Sequence, residues 1–156
     1  MADRIFRYPA PEDSPGFLLW QVSNHWQRAQ RAALKPFALT HGQFVLLANL
    51  KWLQDRLEVI TQNDLAHHAG IDVMMTSDLV RKLEERGLIR RTEHPHDSRA
   101  RSIRLTASGK RMVAEVVPVV EAVDDAFFEQ LGDDVTTFVA LLRRLGGGAA
   151  RGERGD

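Results

Sequence analysis

TQNDLAHHAGIDVMMTSDLVRKLEERGLIRRTEHPHDSRARSIRLT, residues 61–106, holds two short helical patterns, a strand, a turn studded with arginine and a second strand. Each piece has a local cause. Thr61 stands three residues ahead of Asp64, a hydroxyl cap followed by a first-turn carboxylate, and Leu65, Ala66 and Ala69 form an apolar stripe that ends at Gly70. Glycine takes up the left-handed conformation that stops a helix and starts a turn. Asp72 is a second cap, and after it Met75, Leu79, Val80 and Leu83 recur at three- and four-residue spacing, so these four are expected to face a core. Met74, Ser77, Asp78 and Arg81 line the opposite face. Gly87 ends that helix, and Leu88 and Ile89 open a strand that Arg90 and Arg91 make basic. Pro95, Asp97 and Ser98 then form a turn, after which Ser102 and Arg104 alternate with Ile103 and Leu105.

Helix, turn, helix and hairpin in this order make a winged helix-turn-helix, a mainly α fold with a small β-hairpin wing. DNA is the first partner such a fold suggests. The Met74, Ser77, Asp78 and Arg81 stripe is available to a major groove. Arg99 and Arg101 fall at the hairpin tip, where long cations suit a narrow minor groove.

DLVRKLEERGLIRR, then DSRAR, then LTASGK, resembles the MarR family of bacterial transcriptional regulators. The shared parts are a recognition helix ending in LEERGLI, a wing with Asp97 and Arg99 as D-x-R, and L-T-x-x-G opening the next helix. A looser likeness extends over residues 14–145. One departure is at the start of the recognition helix, where Val73, Met74 and Met75 replace the hydrogen-bonding residues usual in the family. The resemblance implies a dimer of winged helix-turn-helix subunits, in which the N-terminal helix and the last two helices of each subunit interlock with those of its partner. It also implies a repressor that occupies a promoter, and an anionic or aromatic effector bound in a cleft between the dimer helices and the DNA-binding lobe. Trp20, His25, Trp26, His41 and Phe44 are the candidates for lining that cleft, although aromatic residues at helical spacing are more often core.

Composition sets wide bounds. A chain of 156 residues suits one domain, or a DNA-binding lobe and an oligomerisation lobe sharing a core. No apolar run approaches the roughly 18 residues of a membrane span, and no basic-then-apolar leader opens the chain, so a cytoplasmic protein with no membrane partner is expected. The absence of cysteine excludes disulfides, thiolate metal ligands and thiol-based sensing. A net charge of zero conceals a separation: residues 81–111 hold ten Lys or Arg against four Asp or Glu, whereas residues 112–142 hold seven acids and no base. The first of these segments should attract phosphate and the second should repel it.

The flanks read as helices that build a dimer. Ser14 and Pro15 start one that carries Leu18, Leu19, Val22, Trp26, Ala29 and Ala33 as far as Pro36. Thr40 and Gln43 form a capping-box pattern ahead of Phe44, Leu47, Leu50 and Leu53. Thr106 caps a long helix through Val113, Val116 and Val120, which Pro118 should kink, and Asp133 caps a short one closed by Gly146. The expected organisation is an extended arm over 1–13, one domain over 14–145 and a disordered, glycine-rich tail over 146–156. Within that domain the winged helix-turn-helix occupies 40–105 and dimerisation helices occupy 14–35 and 106–145. Phe17, Leu18, Phe127, Phe128, Leu131, Phe138 and Leu142 are the expected contacts of a homodimer, with packing inside one chain as the alternative.

A two-fold dimer reads a palindromic operator with recognition helices about one DNA turn apart. Arg90, Arg101, Arg104 and the helix start at Thr61 are expected on phosphate, Ser77 and Arg81 on base edges, and Val73 or Met74 on thymine methyls. Asp78 either accepts from a cytosine amino group or pairs with Arg81 or Lys82, and Asp97 supports Arg99 in the wing. A metal-responsive regulator has less support, because His67 and His68 are adjacent on a helix and no His pair has i, i+4 spacing with nearby carboxylates; no metal and no cofactor is expected. No phosphate loop, nucleophile elbow or zinc-protease motif indicates an enzyme. A winged helix that docks a protein instead of DNA is the remaining alternative; the apolar start of the recognition helix favours it and the basic wing opposes it.

Overall fold

Ser14 accepts from the Phe17 N–H and Pro15 occupies the first helical turn, so α1 runs Pro15–Leu34. The computed structural model describes residues 5–93, 96–97 and 101–152. Beyond a 3-10 turn at Lys35–Phe37, Thr40 and Gln43 exchange side-chain to backbone hydrogen bonds of 3.0 and 3.2 Å, and this capping box opens α2, His41–Gln54. Thr61 and Asp64 repeat the device for α3, Gln62–Ala69, which stops at left-handed Gly70. Asp72 accepts from the Met75 N–H at 2.8 Å and starts α4, Val73–Glu85. The antiparallel strands β1, Ile89–Glu93, and β2, Arg101–Leu105, follow with Ile89 opposite Leu105 and Glu93 opposite Arg101. The last helices are α5, Ala107–Phe128, which remains one helix through Pro118, and α6, Val135–Gly152.

Two units divide the chain, residues 1–121 and 122–156. In the first, Leu46, Leu47, Leu50 and Leu53 of α2, Leu65 of α3, and Val80 and Leu83 of α4 form one core with Ile89, Ile103, Leu105, Val113 and Val116. The second contains Phe127, Phe128 and Phe138, with the Phe128 ring 5.2 Å from Phe127 and 5.7 Å from Phe138. Two expectations are corrected. Met75 is 56% exposed, and Thr76 is fully buried in the position expected for it. The Thr76 hydroxyl donates to the Asp72 carbonyl at 2.9 Å, so the phase of α4 can bury a threonine without stranding its oxygen. The glycine-rich end also departs from the reading: α6 opens at Val135 after a 3-10 segment, Glu129–Asp134, and passes Gly146 to Gly152. Glycine lowers helix stability by only about 1 kcal/mol per residue, which an established helix can absorb.

Three backbone N–H groups fix the hairpin and its base. Ile103 N–H donates to the Ile60 carbonyl at 2.8 Å, Leu105 N–H to Gln54 Oε1 at 2.5 Å, and Thr106 N–H to the Leu88 carbonyl at 3.0 Å. Thr106 Oγ1 donates to the Gly87 carbonyl and accepts from Gly109 N–H, which caps α5 directly against the end of α4. At position 109 a Cβ would lie 1.9 Å from the Leu88 carbonyl oxygen, so this close seat requires glycine. Replacing Gly109 with Ala is expected to cost on the order of 1–3 kcal/mol, an overpacking penalty, whereas Gly16→Ala, in α1 with open space around its Cβ, should leave stability unchanged or raise it by up to about 1 kcal/mol. Thermal melts of the two variants check this.

Candidate nucleic-acid interface

α4 presents a face divided between apolar and charged residues. At its start Val73, Met74 and Met75 are exposed, Met74 by 85%, and Ser77 is exposed one turn on. Farther along, Arg81 bridges two acids, donating to Asp78 and to Glu85 at 2.7 Å each, and Lys82 meets the other oxygen of Asp78 at 2.7 Å. Hydrogen bonds from Lys82 and then Arg81 hold the Asp78 carboxyl below the usual carboxylate range, and those acids in turn raise the Arg81 guanidinium. Without DNA, Asp78 pairs with both Arg81 and Lys82.

The wing holds its cations differently. Arg90 stands directly opposite Arg104 in the strand register, a like-charge pair that disfavours the hairpin. Arg104 also donates to the Glu58 carbonyl, which secures β2 to the segment before α3. Arg101 is exposed opposite Glu93. Arg91 turns back to α4, its guanidinium 2.7 Å from Glu84, whose carboxyl is lowered chiefly by that hydrogen bond. Arg99 lies outside the described residues, and with it the expected Asp97–Arg99 support.

Of the residues expected around an effector, Trp26 and His41 meet edge to face with ring centroids 5.0 Å apart. Trp20 instead stacks on Phe17 at 6.2 Å, His25 is exposed, and Phe44 is half-buried against the core. His68 stacks on Trp52 at 4.4 Å with its Nδ1 2.5 Å from Asn49 Oδ1, and Arg56 lies 3.7 Å over the same indole. Among the described residues no three His, Asp or Glu side chains gather in a metal-binding cluster.

Comparison with known proteins places this geometry. The MarR family model matches residues 39–100. YdcH of Bacillus subtilis (strain 168), an uncharacterized HTH-type transcriptional regulator, is 43% identical over 122 residues, 78% of this chain and 83% of YdcH. The chain belongs to the MarR family. The HTH-type transcriptional repressor Rv2887 of Mycobacterium tuberculosis (strain ATCC 25618 / H37Rv) is 29% identical and aligns with 86% of this chain and 96% of its own. CouR from Rhodococcus jostii RHA1, solved bound to p-coumaroyl-CoA, matches with a TM-score of 0.77 at 30% identity, covering 88% of this chain and 95% of CouR.

Several residues that build this MarR-family interface gave no sequence signal. Arg86 donates to the carbonyls of Phe37 and of Ala38, a residue with left-handed φ of 51°, and so fastens the end of α4 to the segment after α1. Glu84 and Arg91 meet across the α4–β1 turn, where no helical period relates them. Glu85 was legible, because its i, i+4 spacing from Arg81 is a standard pairing distance. Asp78→Asn and Glu85→Gln should each raise affinity for arbitrary duplex DNA on the order of 2- to 5-fold by removing an acid and freeing Arg81. Fluorescence anisotropy measures this; a loss of affinity in Asp78→Asn would place that carboxylate on a base.

Proposed function

We propose that the protein is a sequence-specific transcriptional repressor that binds a palindromic operator as a homodimer in the cytoplasm and is released by a small effector. The Arg90–Arg104 pair carries this reading. Two arginines opposite each other in the register of a short hairpin are a like-charge pair that a phosphate backbone would relieve. Arg101 and Arg99 extend the same charge toward a minor groove, Thr61 places the start of α3 at phosphate, and Val73, Met74, Ser77 and Arg81 face the major groove. In this reading the protein acts by occupying DNA and not as an enzyme.

Dimerisation explains the exposed apolar residues. Phe17 and Leu18 on α1 are more than a third exposed, and so is Leu142 on α6. In this reading each patch is covered by the partner subunit, together with Phe127, Phe128, Leu131 and Phe138. The CouR ligand is both aromatic and anionic, the class expected here, and the Trp26–His41 pair is the position around which such an effector binds. To act, the effector must prefer one dimer geometry over the other.

Binding to the intergenic DNA upstream of the gene, followed across a salt series, tests the proposal. Tight binding to one segment should weaken steeply with salt, and Arg101→Ala should bind more weakly with a log–log slope reduced by about one unit. Binding indifferent to both sequence and salt would overturn the reading.

A further inference from the structure

The first two turns of α4 offer DNA little to hydrogen-bond with. Asp72 spends its carboxylate on the Met75 N–H, and Thr76 is buried with its hydroxyl on the Asp72 carbonyl. Asp78 lies between Arg81 and Lys82, and Arg81 is held again by Glu85. Ser77 supplies the exposed hydroxyl of these turns. What projects instead is apolar: Val73 and Met75 are about half exposed and Met74 is 85% exposed. Among base edges, the major groove presents one apolar group that an unbranched, adaptable thioether can cover, the C5-methyl of thymine. The surrounding charge selects DNA over a protein as occupant, since residues 81–111 carry ten cations against four acids and Arg90 faces Arg104.

We infer that Met74, flanked by Val73, reads thymine C5-methyl groups in each operator half-site, so that recognition at those positions depends on a methyl and not on a hydrogen bond. This rests on the DNA-binding reading above and adds the chemistry by which the sequence is chosen. Deoxyuridine keeps the O4 acceptor and the pairing of thymidine and lacks only the methyl, which makes it the discriminating probe.

The experiment uses the full chain and a series of operator duplexes in which each thymidine in turn is replaced by deoxyuridine, with affinity read by fluorescence anisotropy. One or two positions per half-site should lose about fourfold in affinity, the worth of one methyl-sized group returned to water. Met74→Ala should bind the thymidine operator more weakly and show almost no further loss with deoxyuridine, whereas Met74→Leu should keep the discrimination. Equal affinity of the wild-type chain for every deoxyuridine duplex, with preference for the operator over unrelated DNA retained, would overturn this inference and leave the DNA-binding reading standing. An undiminished deoxyuridine penalty in Met74→Ala would remove Met74 from the role. No operator preference at all would overturn both readings.

Discussion

The Leu88 carbonyl is where the elements of the first unit meet. It accepts from Thr106 N–H at 3.0 Å, and Gly109 presses so close to it that a Cβ would sit 1.9 Å away. Thr106 meanwhile bonds the Gly87 carbonyl and caps α5 through Gly109 N–H. The end of α4, the start of β1, the end of β2 and the first turn of α5 are thereby joined within a few residues. A recognition helix needs such a mount, because base-edge contacts tolerate displacements of only about 0.5 Å. Arg86 on Phe37 and Ala38, and Ile103 on Ile60, fasten the end of α4 and β2 to the segments that precede α2 and α3.

Ion pairs on this surface have a defined pH range. Asp78 and Glu84 are held below the usual carboxylate range by Lys82 with Arg81 and by Arg91, respectively. A carboxylate lowered in the folded state contributes stability above its unfolded pKa and loses it as pH falls through the folded value. Both pairs are therefore intact at neutral pH and are lost only in acid. Being solvent-facing they are also screened by salt, so high ionic strength loosens Arg81 and Arg91 at the same time as it weakens phosphate contacts.

Much of this arrangement is written locally in the chain. The caps at Ser14, Thr40, Thr61 and Asp72 and the stops at Gly70 and Gly87 all occur where side-chain chemistry put them, because each requires only neighbours three or four residues away. Hydropathy misled at Met75, since it ranks methionine above threonine as a core residue and ignores that the Thr76 hydroxyl finds its own carbonyl. The glycines after Leu145 read as a break, yet α6 continues through them. Contacts between distant segments were illegible: nothing in the spacing of Arg104 and Glu58, or of Gln54 and Leu105, marks them as partners. The basic face of the candidate site was legible as charge; which cations are spent on internal acids emerges only from geometry.

Hydroxyl-radical footprinting of this chain on its operator tests most directly whether α4 and the hairpin engage DNA as a two-fold pair. Two equivalent protected patches are expected on one face of the duplex, their centres one helical turn, about 34 Å, apart. A single short protected patch, or uniform protection with no two-fold pattern, would contradict it.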